Sequence, residues 1–96
     1  MPQNLKLITV DVSALAPPEP MTVILTHLSV LTQQECLLVM HRREPFPLYE
    51  KLAKAGFSYH CVVHAQDEIS LYIYHQVAQH VFAEMLANSN INKGEN

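Results

Sequence analysis

The 96-residue sequence predicts a two-layer α/β sandwich of order β-α-β-α-β-β, with a mixed four-stranded sheet and an extra C-terminal helix. Three observations carry this prediction. The chain is 49% hydrophobic and 16% charged, which is typical of a single folded core. Two stretches with helical spacing of apolar residues alternate with strand-like runs, which favours a parallel pair of strands. Two later stretches alternate well between two faces, as the strands of a hairpin do.

The first half of the chain predicts a strand, a helix and a second strand. Residues 5–12 are apolar and β-branched and end at a cluster of prolines, so they form strand one. Pro18 and Pro20 suit the first turn of a helix, where a missing amide proton costs nothing. A buried face with helical spacing follows, made by Met21, Ile24, Leu25, Leu28 and Leu31. The continuous apolar run of residues 36–40 predicts strand two, either covered by helices or with one open face.

The second half predicts a helix, a hairpin and a third helix. The second helix begins near Pro47, runs to Ala55 and ends at Gly56 in a left-handed cap. Residues 57–65 and 69–74 alternate, and their apolar sets share one face if Ala65 lies opposite Ile69. That register predicts a three-residue loop, residues 66–68.

The last part of the chain predicts a helix outside the sandwich. Residues 77–86 have two neighbouring apolar stripes, made by Val77, Val81 and Met85 and by Ala78, Phe82 and Leu86. We expect this helix to cover the sheet face that the first two helices leave open, or to pair with a second copy in a homodimer. The domain therefore spans residues 1–75, the C-terminal helix residues 76–88, and a disordered polar tail residues 89–96.

The charge distribution limits the partners. A net charge of −3 argues against nucleic-acid and anionic-membrane binding, which depend on Lys and Arg neutralising phosphate. The average hides a basic segment, since four of the six basic residues, Arg42, Arg43, Lys51 and Lys54, lie between positions 40 and 56. No apolar run reaches the roughly 18 residues of a membrane span and no signal peptide is evident, so a cytoplasmic location is expected.

The densest polar chemistry falls where the first two strands end. In a parallel β-α-β-α arrangement these ends lie side by side beneath two helix starts, where free amide protons favour anions. This edge collects Glu19 and the consecutive residues His41, Arg42, Arg43 and Glu44. The alternative is structural: Arg43 pairs with Glu19 or Glu44 while His41 caps the strand.

Histidines and cysteines offer weaker candidates. On a strand, His60 and His64 lie roughly 13 Å apart, too far to share a zinc ion with bonds of about 2 Å, so no metal site and no cofactor is predicted. Cys36 and Cys61 show neither a CxxC spacing nor an activating neighbour. Both are expected to be reduced structural thiols, and no catalytic residue is predicted.

Two motifs carry a family resemblance over residues 7–74. The stretch VDVSALAPPEPM resembles the strand-to-helix entry of TusA and SirA-like small proteins, in which Cys-Pro-x-Pro opens the first helix. The stretch HRREPFPLYEKLAKAGF is similar to the family called domain of unknown function 2249, which adds a His-x-Arg-Glu-Pro-x-Pro-Leu-Tyr segment. The resemblance implies a mixed four-stranded sheet whose last strand is antiparallel and inserted beside the second. In this chain Pro17 replaces the cysteine that carries a persulfide in TusA-like proteins, which removes that activity.

The nearer family contributes a motif rather than a reaction. It adds Tyr49 to the candidate residues and implies an association with redox or nitrogen-oxide metabolism in prokaryotes. We therefore expect a non-catalytic module that uses Glu19, His41, Arg42, Arg43, Glu44 and Tyr49 to bind a small anion or an acidic protein partner. The alternatives are a sulfur-relay or redox component that uses Cys36 or Cys61, and a metal or haem site built from histidines.

Overall fold

The computed structural model describes residues 4–88 and shows a mixed four-stranded sheet with three helices. The strands are β1 (Lys6–Asp11), β2 (Glu35–His41), β3 (Phe57–Ala65) and β4 (Glu68–His75); the helices are α1 (Glu19–Leu28), α2 (Phe46–Lys54) and, after a 3-10 turn at Gln76–Ala78, α3 (Gln79–Ala87). The predicted order and fold class are confirmed.

The sheet has the order β1-β2-β4-β3. β1 and β2 are parallel, and β4 pairs antiparallel with both β2 and β3, so the last strand is inserted beside the second, as the resemblance implied. Because β1 and β2 are parallel, both of their C-terminal ends lead into helices at the same edge of the sheet. This edge brings the loops before α1 and α2 together.

The main core lies between the sheet and the pair α1 and α2. Ile24 of α1, Leu48 and Leu52 of α2, and Leu37 and Leu71 of the sheet are all buried there. Burial of apolar surface stabilises the fold by about 25 cal/mol for each Å² removed from water, and this layer contributes through its fully buried side chains. It also fixes the two helix starts relative to each other, because each helix buries its own stripe against the same sheet.

The opposite face of the sheet holds a second core under α3. Val81 and Phe82 pack there with Cys36, Tyr72 and Tyr74 from the central strands. The first stripe of the predicted helix needs a correction, because Val77 is exposed. The chain leaves β4 through a 3-10 turn, whose tighter winding takes Val77 out of the helical stripe.

The register of the β3–β4 hairpin differs from the prediction. Ala65 pairs with Glu68 rather than with Ile69, so the loop has two residues, Gln66 and Asp67. A β-bulge at His64 inserts one unpaired residue, which lets Val63 face Ile69 and keeps the two apolar sets on one face. The alternation was interpreted correctly, but the pairing beyond the bulge is shifted by two residues, because Val63 lies opposite Ile69 where Ala65 was expected.

The short connections agree with their sequence signals. Gly56 follows α2 with φ of 87°, the left-handed conformation predicted for it.

No helix within residues 4–88 is long and apolar enough to cross a membrane. The predicted disordered tail, residues 89–96, lies outside the described residues.

Candidate functional site

A cleft of about 450 Å³ lies between the starts of α1 and α2. We call it the proline cleft, because five prolines line it: Pro17, Pro18, Pro20, Pro45 and Pro47. Met21, Ile24 and Leu48 complete its apolar wall, and His41, Arg43 and Glu44 supply its polar groups. Proline fixes its own φ angle, so this wall is held rigidly by both helix entries.

The backbone of the proline cleft corrects one premise of the sequence analysis. The helix starts were expected to offer free amide protons, but Pro20 and Pro47 have none. Near α1 the amides of Glu19 and Thr22 donate to Ala16 O and Pro18 O, and near α2 those of Phe46 and Leu48 donate to Glu44 O and Pro45 O. Fewer backbone donors therefore remain for an anion than expected, and side chains become its main donors in the cleft.

His41 ends β2 and closes the turn that follows it. Its Nδ1 accepts hydrogen bonds from the backbone amides of Arg42, at 2.8 Å, and of Arg43, at 3.3 Å. These bonds place the proton of the neutral ring on Nε2. Burial, and then the positive charge of Arg42, lower the pKa of His41 from 6.5. The ring is thus a neutral donor beside the cleft, held by its own chain.

Arg43 and Glu44 both line the cleft without pairing to each other. Among residues 4–88 the ion pair within 4.0 Å joins Lys54 to Glu50, at 3.4 Å. Arg43 thus forms no such pair with Glu19 or Glu44, the structural alternative considered above. Its guanidinium is exposed, and Glu19, also exposed, lies at the start of α1 but does not line the proline cleft.

Tyr49 stands behind Glu44 rather than in the cleft. Its hydroxyl donates to Glu44 Oε2 at 2.8 Å, and its ring stacks on Tyr59 with centroids 3.8 Å apart. Burial, followed by the hydrogen bond to Glu44, raises the pKa of Tyr49. Tyr49 therefore remains a neutral donor that orients the carboxylate of Glu44.

Arg42 faces a second cleft, also of about 450 Å³, at the end of the sheet. We call it the hairpin cleft; Asp11, Ser13, His64 and Ser70 are among its polar residues, and His41 lines it as well as the proline cleft. Ser70, only 7% exposed, hydrogen-bonds to His64 Nε2 at 2.7 Å. This pair was not among the predicted site residues, although the expected register, with Ala65 opposite Ile69, would also have placed His64 opposite Ser70.

The remaining histidines lie on four different elements, α1, β3, β4 and α3. Within residues 4–88, no group of three or more His, Cys, Asp or Glu side chains is placed to hold a metal ion. Cys36 is fully buried, and desolvation raises its pKa to about 12. Desolvation, and then the negative charge of Glu44, also raise the pKa of Cys61. Both thiols are therefore poorer nucleophiles than a free cysteine.

Comparison with known proteins gives the family. No curated protein and no solved structure matches the chain. The model of a family described as an uncharacterized conserved protein, DUF2249, matches residues 9–75, which cover well over half of the sequence. The match includes both walls of the proline cleft and the His41 turn. The chain therefore belongs to the DUF2249 family.

Proposed function

We propose that this protein is a non-catalytic binding module that holds the carboxylate of a small molecule in the proline cleft. The observation that carries the proposal is Arg43: its guanidinium lines an apolar cleft, and no carboxylate of residues 4–88 forms an ion pair with it. Arg presents donors in a planar fork that matches a carboxylate with two parallel hydrogen bonds.

His41 supplies a second donor to the same ligand. Because Nδ1 accepts hydrogen bonds from two backbone amides, the His41 ring offers its Nε2–H group in a fixed orientation. Hydrogen bonds to charged groups contribute roughly 1.5–3 kcal/mol each. The proline wall is already ordered before a ligand binds, so less conformational entropy is lost on association.

Sulfur transfer is less well supported than binding. The resemblance to TusA-like proteins places Pro17 where those proteins carry a persulfide, and proline has no thiol. The replacement thiols would have to ionise easily, whereas burial raises the pKa of both Cys36 and Cys61. The link to redox or nitrogen-oxide metabolism, the acidic protein partner, the pairing of two copies and the cytoplasmic location stay predictions.

A titration followed by NMR tests the proposal. Sodium 4-methylpentanoate, with sodium chloride at the same ionic strength as reference, should shift the methyl signals of Met21, Ile24 and Leu48, because prolines have no amide signal. Arg43→Gln should weaken this binding by about tenfold, the equivalent of one charge-assisted hydrogen bond. Lys51→Gln, which removes an exposed positive charge of α2 outside the proline cleft, should leave it unchanged. Equal binding by the wild type and Arg43→Gln would contradict the proposal.

A further inference from the structure

We infer that the ligand of the proline cleft is a small zwitterion with an apolar body, of the chemical class of aliphatic α-amino acids. This inference rests on the proposed function and names its ligand class. It follows from the opposite charges of Arg43 and Glu44, which form no ion pair with each other, and from the aliphatic wall beside them.

The two charged side chains of the proline cleft favour a ligand that carries both a negative and a positive group. Arg43 and Glu44 are consecutive, both line the cleft, and they form no ion pair with each other within 4.0 Å. A ligand that carries only a carboxylate would meet Arg43 favourably but would also meet the like charge of Glu44. A ligand that carries only an ammonium group would meet the opposite conflict at Arg43. A zwitterion complements both charges at once.

The carboxylate of Glu44 is prepared for such a contact. Tyr49 donates to Oε2 and so holds the side chain in place from outside the cleft. The second oxygen, Oε1, then remains as the acceptor for an ammonium group, which carries three donors. The ligand carboxylate is left to Arg43 and to Nε2–H of His41.

The wall of the cleft selects the rest of the ligand. Met21 and the exposed prolines form the accessible surface of this wall, and the fully buried Ile24 and Leu48 back it, so the body of the ligand meets aliphatic groups. The volume of about 450 Å³ lies at the lower end of the range of small-molecule sites, about 300–1,000 Å³. An aliphatic side chain of a few carbons fits this wall better than a second charged or hydrogen-bonding group.

Four ligands separate the contributions of the three groups. L-Leucine has both charges and the branched body; 4-methylpentanoate lacks the ammonium group, 3-methylbutylamine lacks the carboxylate, and glycine lacks the body. Titration of the wild type should give the tightest binding for leucine, with each of the other three weaker by about tenfold or more. Glu44→Gln, which keeps an acceptor for Tyr49, should remove the preference for leucine over 4-methylpentanoate. Glu84→Gln, an exposed position on α3, should preserve it.

The outcomes distinguish this inference from the proposed function. If 4-methylpentanoate binds as tightly as leucine and still depends on Arg43, the zwitterion is wrong and the carboxylate site stands. If glycine binds as tightly as leucine, the aliphatic selection is wrong. If no carboxylate shows dependence on Arg43, both the inference and the proposed function are wrong.

Discussion

His41 organises the turn beside the proline cleft although its side chain is neutral. Its Nδ1 accepts hydrogen bonds from the amides of Arg42 and Arg43, and the two arginines of this turn line different clefts. The sequence indicated that an imidazole and two guanidiniums lie together. The sequence alone does not show that the His41 ring accepts hydrogen bonds from backbone amides, because these hydrogen bonds depend on the path of the turn and not on residue type.

Acid should weaken the fold through His41. Its pKa is lowered in the folded protein, so the unfolded chain takes up the proton first as the pH falls below about 6.5. The free energy of unfolding should therefore decrease as the pH falls from about 6.5 to the folded-state pKa of His41. Above about pH 6.5 the contribution of His41 should be constant. His41→Asn keeps an acceptor near the position of Nδ1 but does not titrate, so the variant should lose less stability between about pH 7.5 and about pH 5.5.

Urea denaturation at both pH values measures this difference. His41→Ala is the companion variant: it removes the acceptor and should lose about 1 kcal/mol even at the higher pH. An identical pH dependence in the wild type and His41→Asn would show that other groups cause the acid sensitivity.

At the scale of elements, periodicity predicted the kind and order of each strand and helix but not the interruptions. The bulge at His64 leaves the alternation of apolar residues on β3 and β4 intact, so no pattern in the sequence distinguishes it from a longer loop. The prolines of α1 and α2 marked the helix starts correctly. The same residues lack amide protons, which reduces the backbone donors on which the predicted anion site depended.

Gly56 offers a direct measure of backbone strain at an element boundary. Its φ is 87°, and a Cβ at this position would meet no atom within 4 Å. Gly56→Ala should therefore cost about 1 kcal/mol, entirely from the left-handed conformation rather than from a clash. Gly56→Asn should cost less, because Asn adopts this conformation more readily. Chemical denaturation of both variants provides the comparison, and equal losses would mean that the conformation is not the cause.

For the whole molecule, the main consequence of the topology is that β2 and β4 separate two cores. Leu37 and Ile73 face the core under α1 and α2, whereas Cys36 and Tyr74 face the core under α3. The continuous apolar run at positions 36–40 predicted burial of this strand. Which residue faces which layer became evident only from the pairing with β4.

The core under α3 should determine the reactivity of Cys36. Phe82 is buried and stacks on Tyr74 with centroids 4.3 Å apart, so Phe82→Ala should lose about 3 kcal/mol of unfolding free energy. The Cys36 thiol should then react faster with a disulfide reagent at neutral pH, since its cover opens more often. Val77→Ala, at an exposed position next to α3, is the control and should change stability by less than about 0.5 kcal/mol. Similar thiol reactivity in the two variants would contradict the assignment of Phe82 as the cover.

The bulge at His64 also affects how molecules meet in solution. β3 forms one border of the sheet, and nine residues of extended backbone there could otherwise join the border strand of another molecule. The β-bulge bends and twists this edge strand next to the exposed Val63. A regular strand with an exposed apolar side chain would pair there more readily with a strand of another molecule. We therefore expect the bulge to make this end of β3 a poorer template for a strand of another molecule, while it keeps Val63 opposite Ile69.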